Sequence, residues 1–495
     1  MGTKLPGINF NKEYFLFLLP VFFAVHGYRE QYRQVSLSDI IYLGAILLVA
    51  SIVMAAVFLL VFRNWRKAAM FSFGLMVFHI FFGPVHDAIK SVGGSTFFSK
   101  YSFILPLSLL LLAALFFYLK RTRHTFHQFT RYINLLLLVL IIVDLVPLVL
   151  KASVQNNNAA VIPAGMQSCD TCSKPDIYLI IADEYAGHAA LKEALGFDNT
   201  DFEMALKNRG FEIIDSSISN YNYTPFSIAS TFAMDYLQGI EGRNQSAEDR
   251  KTCYRLINEN TVVNFLKAQG YAVKNYSVFQ FNNDLPPVGS TTFFTSGRDL
   301  ITAHTFLGRL DRDVRFNTVT KLGWKSEMNR MANHELRNVQ SLFEQTKNEA
   351  ARKEKDPRLI YTHLMMPHYP YFFDKNGKRN PLELLTEGNQ WREQKYIEYL
   401  QYSNGKFLEL VDHIFAHSEK PPVIILMGDH GFRHFNRPVD KKYHFMNFNA
   451  VYLPDRDYDR FYKGISGVNQ FRVLLNQVFG QQLPLLKDTS LFLKE

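Results

Sequence analysis

At 495 residues the chain is longer than one hydrophobic core ordinarily supports, so at least two structural units are expected. Its near-neutral mean hydropathy averages unlike parts, because the apolar residues crowd into the first third, which excludes a uniformly soluble protein. The formal charge of +9 is partly topological and otherwise scattered, with no basic-aromatic cluster, and this excludes nucleic acid as a partner.

Five apolar stretches come first in chain order: Tyr14 to Gly27, Ile40 to Phe62, Ala68 to Val85, Tyr101 to Leu119 and Ile133 to Leu150. A helix needs roughly 20 mainly apolar residues to cross the hydrocarbon core, and most of these approach that length. The first is short, but Tyr28, Arg29 and Glu30 follow it instead of a small-residue cleavage site, so it reads as a retained span. Lys4, Lys12, Arg63, Arg66, Lys67, Lys120, Arg121, Arg123 and Arg131 fall on one side of the spans; Arg29, Arg33, Lys90 and Lys100 fall on the other. Cytoplasmic loops are the basic ones, so the amino terminus is inside and, with five spans, everything after Leu150 is outside. The expected organisation is a transmembrane domain over residues 1–151, a linker over 152–174 and an extracytoplasmic domain over 175–495, in a multi-pass protein of the cytoplasmic (inner) membrane. A basic outer domain also suits the anionic membrane surface. Cys169 and Cys172 lie in the linker, where a local disulfide is expected; zinc would need two further ligands nearby, and Cys253 is left over.

Beyond Lys174 strands and helices alternate. "DIYLIIADEYAG" is an apolar strand ending in acids, and "DFEMALKNRGFEIIDSS" is a helix closed by Gly210 and followed by a strand. "TVVNFLKAQGYAVKNYSVF" repeats that plan around Gly270; then come the strand "RLIYTHLMM", an amphipathic helix from about Tyr396 to Phe415, a strand opening at Val423 and a last one, "NAVYLP". This predicts an α/β domain with a largely parallel sheet sandwiched by helices, whose ligands gather at the carboxyl ends of the strands.

Two of those ends carry metal-binding chemistry. One presents Asp183 and Glu184; the other, within "PVIILMGDHGFRH", presents Asp429 and His430 between glycines. Carboxylate and imidazole suit zinc or manganese outside the cytoplasm. A third element, "SNYNYTPFSIASTF", sets Thr224 before Pro225 at a helix start. There a threonine reads as an N-cap, and its hydroxyl also lies where backbone N–H groups and the helix dipole favour a phosphate. An unassisted threonine hydroxyl is a poor nucleophile, and a metal would supply the missing acidity. Ser227, one turn on, is the alternative nucleophile. The segment "YTHLMMPHYPYFF" adds His363 and His368, and His434 and His444 follow the Asp-His pair within reach of the metal or the substrate.

In this order the acid after the first strand, the threonine at a helix start, the paired histidines and the late "GDHG" resemble the alkaline phosphatase and sulfatase superfamily. The resemblance is greatest to its membrane-bound branch, the phosphoethanolamine transferases acting on lipid A and the lipoteichoic acid synthases, which also carry five amino-terminal spans and an external catalytic domain. It implies an alkaline phosphatase-like fold, with Asp183, Thr224, Asp429 and His430 as ligands of one divalent metal, zinc before manganese, and Thr224 as the residue that becomes phosphorylated. Glu184 shares the first ligand position, because the transferases usually have Glu where Asp183 stands, whereas sulfatases have paired acids. His363 and His368 are similar to histidines facing the phosphoryl group or a second metal, and His444 to a further histidine of the lipid A enzymes. His434 joins the substrate-binding set. "YSN" at Tyr402 to Asn404 departs from the family, which often has Asp there. None of the cysteines lies in the Cys/Ser-x-Pro-x-Arg context of a sulfatase, so sulfatase activity is not expected.

The resemblance thus implies transfer of a phospho-head group, phosphoethanolamine or phosphoglycerol in type, from a phospholipid to an envelope glycan or lipid through phosphothreonine, with His368 or His444 handling the proton. Donor and acceptor anchored in the bilayer account for the spans. The alternatives at this level are a membrane-bound phosphatase or phosphodiesterase using water, and a non-catalytic lipid or lipopolysaccharide sensor.

Overall fold

The structure is a computed structural model describing residues 10–93, 97–154, 162–240, 244–291, 294–385 and 388–494. These form two compact units divided between Asn157 and Asn158, with Thr295–Lys321 returning to the first.

The first unit contains the helices α1 (Phe15–Glu30), α2 (Leu37–Phe62), α3 (Trp65–Gly93), α4 (Tyr101–Arg121) and α5 (His127–Val154). Each expected span lies on one of them. Helices α2 to α5 are long and apolar enough to cross a membrane. With 16 residues, α1 would be about 24 Å long at 1.5 Å per residue, short of the ~30 Å hydrocarbon core, so five full spans are not established. Proline lies within α1, α3, α4 and α5 (Pro20, Pro84, Pro106 and Pro147), which neighbouring helices make tolerable in an apolar bundle. Asp144 of α5 is buried, and its charge is met by Arg29 at 2.6 Å and His26 at 3.0 Å, both from α1. An acid inside an apolar bundle needs such partners.

The expected division at residues 152–174 leaves out one excursion. Thr295–Lys321, far along the chain, packs with the amino-terminal helices. Phe306 sits between Phe78 and Phe82, Arg309 pairs with Asp87, and the Gly83 N–H donates to the His304 carbonyl at 2.9 Å. A Cβ on Gly83 would stand 2.0 Å from that oxygen, backbone against side chain with no room to yield. Gly83→Val is therefore expected to lift this segment from α3. Overpacking of this kind typically costs 1–3 kcal/mol, so trypsin should cut at Arg298 or Arg312 about tenfold faster or more. An unchanged cleavage rate would refute the packing.

In the second unit, residues 162–174 pack on the domain instead of spanning free. The Cys169–Cys172 disulfide is formed, the Cys169 N–H donates to Gln269 Oε1, and Gln167 and Gln481 exchange hydrogen bonds; Cys253 is a buried free thiol. The core is a six-stranded sheet of order β2-β6-β5-β1-β4-β3, with β1 Ile177–Ala182, β2 Glu212–Ile213, β3 Ala272–Tyr276, β4 Arg358–Leu364, β5 Val423–Gly428 and β6 Asn449–Tyr452. The pairs β3/β4, β4/β1 and β1/β5 are parallel, and β6 runs against both its neighbours. Strands β1, β4 and β5 are buried at every residue, which is why they read as unbroken apolar runs. Glu393–His417 buries Tyr396, Ile397, Tyr399, Leu400, Ser403, Phe407, Leu410, Val411 and Ile414 at helical spacing, as its amphipathic pattern predicts. The long helix Lys325–Ala350 covers β4 and β3 and was not foreseen from the sequence.

Candidate active site

Register brings the chemistry together. Ala182 of β1 pairs with Leu364 of β4 on one side and Gly428 of β5 on the other, so Asp183, Met365 and Asp429 leave adjacent strand ends on one rim. The glycines beside Asp429-His430 are required by crowding. A Cβ on Gly428 would meet the Tyr185 carbonyl at 2.3 Å, and one on Gly431 the Tyr443 carbonyl at 2.3 Å. The sharp exit of the chain from β5 needs both.

Asp183, Asp429 and His430 have one ligand atom each within 4.8 Å of the others, and all three are buried. The neighbours turn the free electron pairs toward one place. His430 donates from Nδ1 to the Gly431 carbonyl at 2.8 Å, which leaves Nε2 as an acceptor. Asp429 Oδ1 accepts the Glu184 N–H at 2.8 Å, and its Oδ2 has no hydrogen-bond partner. Asp183 Oδ2 accepts from His363 Nε2 at 3.1 Å, and its Oδ1 is likewise unpartnered. Orphaned, buried carboxylate oxygens are costly unless a cation completes them, and with a neutral imidazole nitrogen they form a donor set that zinc or manganese fits. Burial, then the charge of Asp429, pushes the Asp183 carboxyl well above the usual carboxylate range; burial, then Arg433, pushes His430 well below the imidazole range.

Thr224 completes this corner. It opens the helix Thr224–Ala233, with Pro225 next, but the cap position is Tyr223, so the expected N-cap reading of Thr224 shifts by one residue. No side chain caps this helix; the Thr224 hydroxyl instead lies 3.3 Å from His430 Nε2. The Ser227 hydroxyl is buried and donates to the Asp429 carbonyl, which removes it as the alternative nucleophile.

Glu184 belongs to a different group. Its carboxylate falls with His368 and His434 in a second set of ligand atoms within 4.8 Å. Its backbone has a φ of 60°, unusual for a side chain with a Cβ, and is held there by the hydroxyl of Tyr396 donating to its carbonyl and by its own N–H on Asp429. Adjacent in sequence, Asp183 and Glu184 thus point into separate groups, and the question of which acid shares the site with Asp429 resolves to Asp183. Glu184 Oε1 accepts the Arg433 N–H at 2.9 Å, while Oε2 is unpartnered. Burial lifts the Glu184 carboxyl to about 8 against the lowering by Arg433. His368 donates from Nδ1 to the Tyr369 carbonyl and faces Glu184 Oε2 with Nε2 at 3.9 Å; burial holds it down to about 3.

The remaining expected residues divide. His363 is wholly buried between the Tyr361 hydroxyl and Asp183, so it orients Asp183 instead of facing the substrate. His434 Nε2 lies 3.7 Å from Glu184 Oε1, with its ring against Trp391. His444 is in neither ligand group: its ring packs on Phe435 and Phe492, and its carbonyl accepts the Gly431 N–H. Asn404, the departure in "YSN", has a structural role, accepting from Tyr185 and donating to Asn199. Arg433, not foreseen, stands among these groups; its position between His430 and His434 was the available signal.

No family model matches the sequence, and no curated protein does. Solved structures that it is similar to include the C-terminal periplasmic domain of EptC from Escherichia coli, at 12% identity over 68% of this chain and 94% of that one, with a TM-score of 0.40. The full-length lipooligosaccharide phosphoethanolamine transferase A from Neisseria meningitidis aligns over 94% of this chain and 95% of its own, at 11% identity and a TM-score of 0.38. A putative sulfatase, yidJ, from Bacteroides fragilis aligns at 15% identity over 64% of this chain and 77% of that one, with a TM-score of 0.40.

Proposed function

We propose that this protein is a metal-dependent phosphotransferase of the cell envelope. It moves a phospho-head group, phosphoethanolamine or phosphoglycerol in type, from a phospholipid to an envelope glycan or lipid by way of Thr224. The single observation carrying this reading is the Thr224 hydroxyl 3.3 Å from His430 Nε2, in the corner where Asp183 and Asp429 leave carboxylate oxygens unpartnered. Asp183, Asp429, His430 and Thr224 would hold the metal, zinc before manganese by donor type, and Glu184, His368 and His434 a second ion or the phosphoryl group. A bound divalent cation would supply acidity to the hydroxyl and neutralise charge on the phosphoryl oxygens.

The chain's own groups do the rest. Thr224 Oγ1 forms a bond to phosphorus as the bond to the diacylglycerol oxygen breaks, and that oxygen takes a proton. The acceptor hydroxyl then attacks the phosphothreonine and gives up its proton, and the oxygen of Thr224 leaves and regains one. His430, fixed by its bond to Gly431, keeps its Nε2 electron pair for the cation that Thr224 would share, and the Thr224 proton ends on the departing diacylglycerol oxygen. His368 or His434, in the second group, would take the proton of the incoming hydroxyl, and an arriving phosphate anion would raise the basicity of both. Basic segments on the cytoplasmic side and apolar helices α2 to α5 support a location in the inner membrane with the second unit outside.

The test is purified protein given zinc and phospholipid labelled in the head group, with and without envelope extract. Label is expected on glycan or lipid of the extract. Label released only as free head-group phosphate would replace transfer by hydrolysis, and no release of diacylglycerol would remove the reading altogether.

A further inference from the structure

We propose that Arg433 is the anion clamp of this site, binding the non-bridging oxygens of the phosphoryl group while it is attached to or approaching Thr224. The inference rests on the phosphotransfer reading and adds to it a binding residue.

The geometry is that of a guanidinium kept in place but not satisfied. Its Nε is buried and has no hydrogen-bond partner. The nearest acid, Glu184 Oε1, is 3.9 Å from Nε, too long for a hydrogen bond, and is already taken by the Arg433 backbone N–H at 2.9 Å. The guanidinium carbon lies 4.6 Å from the centre of the Tyr223 ring, so a planar cation rests on the residue immediately before Thr224. That contact holds the guanidinium next to Thr224. Only 16% of the side chain reaches solvent, enough to leave an approach for a ligand.

The charge acts over the whole site. Arg433 is an electrostatic neighbour of Asp183 and Glu184 beyond β1, of His368 beyond β4, and of His430, His434 and His444 beyond β5. Its geometry agrees: Arg433 lies between His430 and His434 in the chain, its backbone N–H is on Glu184, and its guanidinium is against the residue before Thr224. A buried donor beside a carboxylate it does not bond is poor design for an ion pair. It fits a site that waits for a tetrahedral anion, to which an arginine fork presents two parallel donors. A histidine or lysine would not supply that fork.

The experiment measures binding of inorganic phosphate and of orthovanadate to the full-length, zinc-loaded protein by titration calorimetry, with zinc content and melting temperature recorded for each variant. Arg433→Ala is expected to weaken phosphate binding at least about tenfold with zinc content unchanged, and Arg433→Lys to recover only part of the loss. Arg433→Gln, closer in volume, serves if the alanine variant fails to fold. Asp429→Asn is the second arm. If it abolishes anion binding while the Arg433 variants stay within twofold of the parent, the clamp is wrong and the metal-centred site stands. If the parent chain itself binds neither phosphate nor vanadate, both the clamp and the phosphotransfer reading fall.

Discussion

Replacing Thr224 by alanine is expected to remove head-group transfer, lowering kcat by up to about six orders of magnitude, the loss that follows removal of a serine nucleophile. No nearby hydroxyl takes over, since that of Ser227 donates to the Asp429 carbonyl and lies buried behind it. The variant should fold normally: the Thr224 side chain caps nothing, and its removal opens a contact of 3.3 Å to a histidine that keeps its bond to Gly431. Its melting temperature should therefore stay within a few degrees of the parent. Thr224→Ser, which retains the hydroxyl, should keep activity within about tenfold. Mass spectrometry after a short reaction with donor alone should find a phospho-adduct on Thr224 of the parent and none on the alanine variant. More than a tenth of parental transfer in Thr224→Ala would mean that the nucleophile is elsewhere.

Asp429→Asn should have the second largest effect, and its sign reverses with the metal. With zinc present, the variant lacks one of two unpartnered carboxylate oxygens facing His430, so metal affinity should fall by at least about a hundredfold, since even the loss of a supporting hydrogen bond costs ten- to a hundredfold. The parent then melts higher, because a ligand binding only the folded state stabilises it by mass action. In chelator the order inverts. Asp183, Glu184 and Asp429 are buried together without a cation, and the charge of Asp429 is one of the causes that lift the carboxyls of Asp183 and Glu184. Removing that charge relieves the repulsion, so the metal-free variant should melt about 2–4 °C above the metal-free parent. Two melting curves for each protein, with zinc and with chelator, test this. Parallel curves that do not cross would show that no cation belongs at these carboxylates.

Much of the architecture was legible because apolar periodicity reports burial directly. Strands β1, β4 and β5, buried on both faces, could only be unbroken apolar runs, and the five amino-terminal helices sit on the five apolar stretches. The acids and histidines at the strand ends were visible as a set, since any one of them could equally have begun a turn or capped a helix, and only several donors after buried runs pointed to a metal. What the chain order hid is orientation. Neighbours in sequence leave a strand end in different directions, so Asp183 and Glu184 part company, and Ser227 turns from substrate to backbone. His363, read as facing the phosphoryl group or a second metal, reaches across to the end of β1 and braces Asp183.

By itself the sequence determined the two-part organisation, the largely parallel sheet, and the residue types gathered at its carboxyl rim, since each follows from local pattern and side-chain chemistry. Only the tertiary structure decided which acid joins Asp429 and His430, that Thr224 and not Ser227 faces them, that Arg433 stands over Tyr223 with an unsatisfied nitrogen, and that Thr295–Lys321 returns to the amino-terminal helices. The physical reason is common to all four. Strand register and close backbone packing bring together groups far apart in the chain, from Asp183 to Asp429 and from Gly83 to His304, and no local signal encodes such distances.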